Sequence, residues 1–322
     1  MTVPSSLLPY LSRKVLIATH AMPDGDAVGS VFGLSALVRR SGGQAICLFP
    51  EPVPDVFSYL KADHTIVNRV AREDTLDAVF ILDCGSTAQV AGSMDLIPQD
   101  TIRLVIDHHR TREPFGDIEW VDATASATGL LIGELAVLAG LSLDAGMAKP
   151  LWCALLTDTG SFRYNSTDAR TLRMGASLLE AGASPWEAAQ SIYESHQLSR
   201  QLLLGRCLGT LELRFSGQVA KMHITREMAH STGAPMDASS GFINYARGIA
   251  GVEICFLLRQ EETSPDAWHV SFRSRGNFPV DNVAAAMGGG GHKNAAGCRL
   301  SGSLTEVTER IFTAIRDAGG PT

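Results

Sequence analysis

Lys14 to Thr19 (KVLIAT) is a short, β-rich apolar run of the length a buried parallel strand needs. It breaks at once into a loop holding His20, Asp24 and Asp26 together with Pro23 and Gly25. From Asp26 the pattern turns helical through Val28, Val31, Phe32, Ser35 and Val38, and Gly29, Ser30 and Gly33 are small enough for close packing on a sheet. Strand, polar loop and helix in that order make half of a βαβ unit. A chain that starts this way is held to a parallel sheet, with its chemistry at the carboxyl end of the strands.

His20, Asp24 and Asp26 offer one imidazole nitrogen and two hard carboxylates to a divalent ion, and the alternate spacing of the two acids can aim each at a different ion. A simple turn is the competing explanation, since Asp and Gly gather in turns for backbone reasons. Partners later in the chain decide between them. Gln44 to Phe49 is expected as a second strand. Asp77 to Asp83 (DAVFILD) and Arg103 to Asp107 (RLVID) are two more, the first ending in an acid before Cys84, Gly85 and Ser86, the second in Asp107, His108 and His109. A helical run from Ala145 into Leu156 then delivers Asp158 near its end. Five carboxylates and three imidazoles at strand and helix ends would repel one another or stay protonated without a counter-charge. A pair of divalent cations relieves this, and such a pair suits phosphoester hydrolysis.

Composition narrows the class. At 322 residues the chain is long enough for two domains, and 45% hydrophobic with 19% charged residues describes a compact globular protein. No apolar run reaches membrane-spanning length, and Met1 to Ser12 lacks the basic start and apolar core of a signal peptide, so a soluble, cytoplasmic protein with no membrane partner is expected. The six cysteines are scattered with no CxxC pair, which predicts reduced core thiols. Residues 1 to 184 carry 14 basic against 21 acidic side chains and the rest 13 against 13, so the acid excess lies where cations are expected. Long nucleic acid gains little nonspecific affinity from such a surface.

Ser184, Pro185 and Glu187 fit the N-cap, first-turn proline and N3 acid of a helix running through Gln190, Tyr193 and His196, after an earlier helix capped by Ser166 or Thr167 and ending at Gly182. This places the domains at 1–184 and 207–322, joined by a helical connection at 185–206. Strands are expected at Leu211 to Phe215, Gln218 to Thr225, Gly251 to Leu258 and Trp268 to Ser274, followed by the glycine run Gly288 to Gly291 and then His292 and Lys293. Consecutive glycines expose backbone N–H groups to an anion such as phosphate; a flexible linker is the alternative. Arg163, Arg273 and Arg275 are candidate phosphate contacts, because guanidinium matches phosphate bidentately. Trp120, Trp152, Trp186 and Trp268 are expected to pack.

Taken together, HAMPDGDAVGS, the acid of ILDCGS, DHH at Asp107 to His109 and TDTGSFRY resemble the four motifs of the DHH phosphoesterase family, while SFRSRG and GGGGHKNAAG resemble its C-terminal DHHA1 domain. The likeness runs from His20 to Gly297. It implies an α/β fold, with a parallel-sheet DHH domain and a smaller α/β DHHA1 domain. It implies one metal ion held by His20, Asp24 and Asp83 and a second by Asp26, Asp83, His108 and Asp158, Mn²⁺ first and Mg²⁺ second. His109 would face the substrate phosphate, and Asp107 would support the ligand histidine. Arg163, Arg273, Ser274, Gly289, Gly290, Gly291, His292 and Lys293 would contact substrate. The chain is most similar to the short branch that degrades oligoribonucleotides and 3′-phosphoadenosine 5′-phosphate, which implies short single-stranded oligonucleotides, dinucleotides or 3′-phosphoadenosine 5′-phosphate as partners and a homodimer as a candidate assembly. A cyclic- or linear-dinucleotide phosphodiesterase is the alternative within the family, and a nucleotide-binding regulator without turnover the alternative outside it.

Overall fold

The computed structural model describes residues 4–70, 75–90, 97, 101–110, 112–276 and 278–321, without the side chain of His292. The chain divides into two compact units, Met1–Ser195 and His196–Thr322. The boundary falls inside the stretch expected as a connection. Within that stretch, α5 (Pro185–Ala189) and a π-helical turn (Gln190–Glu194) belong to the first unit. The helix from Leu198 to Leu208, α6 below, belongs to the second. The expected continuous helix through His196 is therefore interrupted. Ser184 does cap α5, its hydroxyl accepting from the Glu187 N–H at 3.2 Å.

The first unit is an α/β layer built on one parallel sheet. Its strands are β1 (Lys14–Ala18), β2 (Gln44–Leu48), β3 (Ile66–Val67), β4 (Ala78–Leu82), β5 (Ile102–Asp107) and β6 (Ile118–Val121), all parallel in the order β3-β2-β1-β4-β5-β6. β4 is buried at every position, as a central parallel strand covered on both faces must be. The order reverses between β1 and β4, so the switch point lies beside the loops carrying His20 and Asp83. Against one face pack α1 (Gly25–Arg40) and α2 (Thr128–Leu138), with α3 (Ala145–Asp158) packed on both of them and α4 (Ala169–Glu180) on α3. β3 and β6 are additions to the sequence expectation, and α4 is capped by Asp168, which accepts from Thr171 N–H at 2.8 Å, not by Ser166 or Thr167.

Close packing of α1 on α3 rests on the glycines. A Cβ on Gly29 would stand 2.4 Å from the Pro150 carbonyl oxygen and 2.8 Å from the Ala154 nitrogen, both backbone atoms of α3 that cannot step aside. Gly29→Val is therefore expected to destabilise the protein by about 2–3 kcal/mol, the scale of overpacking in a tight core. Urea unfolding measures this, and a loss under about 0.5 kcal/mol would show that the two helices slide apart freely.

The second unit holds α6 (Leu198–Leu208), β7 (Glu212–Arg214), β8 (Val219–Ile224), α7 (Arg226–Thr232), α8 (Ile243–Arg247), β9 (Ile254–Gln260), β10 (Ala267–Ser274), α9 (Val280–Ala286), β11 (Gly290–His292), β12 (Ala295–Ser301) and α10 (Leu304–Asp317). The sheet order is β11-β12-β10-β9-β8-β7, antiparallel except for the β8–β9 pair. Along β10, Trp268, Val270 and Phe272 enter the core shared with α9 and α10, while His269, Ser271 and Arg273 point to the opposite face. On that opposite face α6, α7 and α8 cover β8 and β9.

All six cysteines are buried free thiols. Trp120, Trp152 and Trp268 are buried, but Trp186 is 61% exposed and departs from the packing expected of it. No helix among the described residues is long and apolar enough to cross a membrane.

Candidate metal centre

Each donor comes from the carboxyl edge of the first unit's sheet or from a helix end beside it. His20 follows β1, and Asp24 caps α1 with its Oδ1, accepting from Asp26 N–H at 3.1 Å and Ala27 N–H at 3.0 Å. The turn reading of this segment is thus realised as a helix cap that also presents donors. Asp83 follows β4 with φ of 60°, in the left-handed region that costs a non-glycine residue about 1 kcal/mol or more. His108 and His109 follow β5, and Asp158 ends α3.

These side chains converge. The Oδ2 of Asp83 stands 3.7 Å from His20 Nε2 and its Oδ1 3.5 Å from His108 Nε2. His108 Nε2 lies 3.7 Å from Asp26 Oδ2 and 3.6 Å from Asp158 Oδ2, and His20 Nε2 lies 3.9 Å from Asp24 Oδ1. Such gaps are too long for good hydrogen bonds, yet within twice the ~2.1 Å bond that a divalent ion makes to nitrogen or oxygen. One ion can therefore reach each set. Among the described residues three groups have their donor atoms within 4.8 Å of one another: His20, Asp24 and Asp83; Asp26, His108 and Asp158; and Asp83, His108 and His109. Asp83 faces both histidines from its two oxygens, as a bridging carboxylate would.

The electrostatics also call for cations. Burial, then the charges of Asp83 and Asp158, push Asp26 well above the usual carboxylate range. Burial also lifts Asp158, to about 7, against the pull of His108. Burial lowers His20 and His108, but the facing carboxylates outweigh it and hold both at about 9. Carboxylates so arranged cannot all ionise without added positive charge, which the imidazoles alone supply incompletely. The donor set fits a pair of divalent ions.

Several supporting residues carry no motif. Asp26 accepts from Thr128 N–H at 2.7 Å, Gly129 N–H at 2.9 Å and the Ser30 hydroxyl at 3.0 Å, and so serves as a distant cap for α2, whose own N-cap is Ala127. Thr128 Oγ1 also donates to Asp83 Oδ1 at 3.0 Å. A helix that opens without a capping side chain was the available signal, because its first N–H groups must find an acceptor elsewhere.

Asp107 differs from its implied role. Its Oδ1 accepts from His109 Nδ1 at 2.6 Å and from the backbone N–H groups of His108 and His109 at 2.8 and 3.2 Å. The His108 ring instead turns its Nδ1 to the Ala125 carbonyl at 3.2 Å. Asp107 thus orients His109, while the His108 ring is oriented by a backbone carbonyl.

The expected substrate contacts in the second unit divide. Ser274 is buried, donating to the Phe278 carbonyl at 2.7 Å and accepting from Asn294 Nδ2 at 2.8 Å, so its hydroxyl serves the fold. Gly289 gives its N–H to the Ala284 carbonyl at 2.8 Å, and Gly290, Gly291 and His292 form edge strand β11 on β12. An open anion cradle is thus not what the run builds at Gly289. The side chain of His292 lies outside the described residues, and Lys293 is exposed. Arg163, in the first unit, is exposed and closes its turn by donating Nε–H to the Gly160 carbonyl at 2.6 Å.

Carboxylates and imidazoles gathered at the carboxyl edge of a parallel sheet, followed in the chain by a separate mixed-sheet unit, define a two-unit α/β protein whose first unit carries a candidate divalent-metal centre. Residues 14–156 match the DHH family, N-terminal domain, and residues 218–318 the DHHA1 domain. The bifunctional oligoribonuclease and PAP phosphatase NrnA of Thermus thermophilus is 31% identical over 98% of this chain and 94% of its own length. The Bacillus subtilis protein of the same name is 27% identical over 90% of each chain. The crystal structure of an exopolyphosphatase-related protein from Bacteroides fragilis matches with a TM-score of 0.88 at 25% identity, covering 94% of this chain and 92% of that one. The chain belongs to the DHH family, in the group whose members carry a C-terminal DHHA1 domain.

Proposed function

We propose that the chain is a divalent-metal-dependent phosphodiesterase that releases nucleoside 5′-monophosphates from very short oligonucleotides and also dephosphorylates 3′-phosphoadenosine 5′-phosphate. The observation that carries this reading is the placement of Asp83 between His20 and His108, with Asp24 on one side and Asp26 and Asp158 on the other. The names of the two NrnA relatives supply the substrate class. His20, Asp24 and Asp83 would hold one ion, and Asp26, Asp83, His108 and Asp158 the other. Mn²⁺ suits this mixture of imidazole and carboxylate better than Mg²⁺, which favours oxygen and keeps its waters. When bound, such a pair polarises a phosphoryl group and makes water a stronger nucleophile.

The chain's own residues do the rest. Asp26 is fixed by three donors, so its carboxylate is aimed before any ligand arrives. His109 is held by Asp107. Burial lowers its pKa, but the Asp107 hydrogen bond and the Asp83 charge raise it overall, which favours the protonated form that can donate to the oxygen on which negative charge grows. Arg163, Arg273 and Lys293 are the remaining candidates for recognising phosphate.

The test is product chromatography. Manganese-loaded protein is expected to convert 5′-phosphorylated diadenosine and 3′-phosphoadenosine 5′-phosphate to AMP, and to act about ten-fold or more faster on oligonucleotides of two to five residues than on a 20-mer. Hydrolysis of neither small substrate would refute the assignment.

A further inference from the structure

The segment from Asp122 to Gly129, which leaves β6 and enters the first turn of α2, supports three of the proposed ligands without being one of them. The Ala125 carbonyl accepts from His108 Nδ1 at 3.2 Å, and the Thr128 and Gly129 N–H groups donate to Asp26 at 2.7 and 2.9 Å. The Thr128 hydroxyl adds a bond to Asp83 at 3.0 Å, although the Asp83 backbone has its own anchor, its N–H donating to the Ile106 carbonyl at 3.0 Å. His20 and Asp24 are supported from elsewhere. His20 Nδ1 donates to the neighbouring Ala21 carbonyl at 2.8 Å, and Asp24 accepts from the first turn of α1.

The segment is held in turn by the start of α4. Asp122, which is buried, folds the segment on itself, its Oδ1 accepting from the Thr124 N–H at 2.9 Å and the Thr124 hydroxyl at 2.6 Å. Its Oδ2 accepts from Arg170 Nη1 at 2.7 Å, and the same guanidinium gives its Nε–H and an Nη2–H to the two oxygens of Glu134 on α2. One residue on, the buried hydroxyls of Thr171 and Ser126 share a hydrogen bond at 2.8 Å. The first turn of α4 thus grips the segment at Asp122 and at Ser126, on either side of the carbonyl that orients His108, and ties it to α2 through Glu134. A planar guanidinium can hold two carboxylates at once in this way, whereas a lysine ammonium is a single point charge.

We infer that Arg170 and Thr171 are positioning residues for one of the two ions alone: by clamping the segment they aim His108 and Asp26, and they leave the ion assigned to His20 and Asp24 untouched. The inference rests on the two-ion reading above. Groups one step removed from a metal set the direction and basicity of its ligands, and losing one typically costs about 10–100-fold in metal affinity. A clamp that only stabilised the fold would weaken both ions together. A clamp that works through Ala125 and the start of α2 weakens one, so the two ions differ in how far their hold depends on α4.

The test counts ions without turnover. The full chain, stripped of metal, is titrated with Mn²⁺ while the electron paramagnetic resonance of the free ion is followed, and wild type is expected to take up two ions. Arg170→Lys keeps the charge but cannot hold Asp122 and Glu134 together, and Thr171→Val keeps the shape but loses the hydroxyl. Each should bind one ion as wild type does and the other about ten-fold or more weakly. Arg173→Ala, on the exposed side of the same helix, should leave both unchanged. Two backgrounds identify the affected ion. In Asp24→Asn, which leaves the His108 ion and still caps α1, Arg170→Lys should keep its cost; in Asp158→Asn, which leaves the His20 ion, it should cost nothing. Equal weakening of both ions, no weakening in either clamp variant, or a loss that persists in Asp158→Asn would each overturn the inference. Where wild type binds two ions and hydrolyses short oligonucleotides, such a result removes this inference alone; a wild type that binds no Mn²⁺ removes the two-ion reading and this inference with it. If Arg170→Lys misfolds, Thr171→Val still decides it.

Discussion

Asp83→Ala is expected to strip both metal ions from the protein and to lower turnover by about 10³ or more, leaving the chain folded. The expectation follows from one side chain serving two centres: its Oδ2 faces His20 at 3.7 Å and its Oδ1 faces His108 at 3.5 Å. Losing an ordinary ligand would weaken one ion. Losing this one removes a donor from both sets, and the remaining carboxylates of each set then lose the counter-ions that let them ionise together. The backbone complicates the comparison, because residue 83 has φ of 60° and alanine tolerates that region less well than aspartate. Asp83→Gly separates the two effects, since glycine adopts this backbone without strain and still lacks the carboxylate. Elemental analysis after gel filtration should find neither variant holding its ions, and chelation of the wild type should abolish turnover. Two ions retained in Asp83→Gly, or a chelated wild type that stays active, would show that the donor set is not the working centre.

The first unit was legible in its sequence for a physical reason. Each central strand is an apolar run that stops at a ligand-type residue, and a parallel sheet brings such stops to one edge however far apart they lie in the chain. The strands that escaped notice lack that signature: β3 has two residues, and β6 is the short run Ile118–Val121. The glycine tract hid more. GGGGHKNAAG has no apolar alternation, yet it builds β11 and the start of β12, because the hairpin is so tight that a Cβ on Gly289 would meet the Gly297 carbonyl at 2.1 Å and one on Gly291 the Ala295 carbonyl at 2.6 Å. Its glycines answer to close backbone approach, which exposed N–H groups and a tight hairpin both require, so composition could not tell them apart. α10, which was not among the sequence expectations, does carry a sequence signal: Ser303 and Glu306 form a reciprocal capping box ahead of Val307, Ile311, Phe312 and Ile315 at helical spacing. The roles of Thr128 and Asp107 depend on which way particular side chains leave the backbone, and sequence spacing does not carry that.

His109→Ala is expected to keep its metal ions and yet lose turnover by about 10²–10³, the scale of removing one donor to the transition state. The rings of His108 and His109 are only 5.1 Å apart, tilted by 58°, so proximity to the centre does not separate their roles. Their hydrogen bonds do. His108 directs Nε2 at Asp26, Asp83 and Asp158, all within 3.7 Å, whereas His109 has its Nδ1 engaged by Asp107 at 2.6 Å. That nitrogen also lies 3.7 Å from Asp83 Oδ1, which makes ligation by His109 the rival assignment. A nitrogen whose proton is donated to Asp107 has no lone pair to give a metal, so the short hydrogen bond and ligation through Nδ1 exclude each other. Asp107→Asn tests the same bond from the other side. The Asp107 carboxylate helps to raise the pKa of His109, so neutralising it should let the imidazole lose its proton at lower pH and move the alkaline loss of activity downward, with metal content unchanged. If His109 were a ligand, both substitutions would instead release metal, and His108→Ala and His109→Ala would be indistinguishable by elemental analysis. Equal metal loss in those two variants would sink the division of labour, and the phosphate-facing role would then have to pass to a residue outside the DHH triplet.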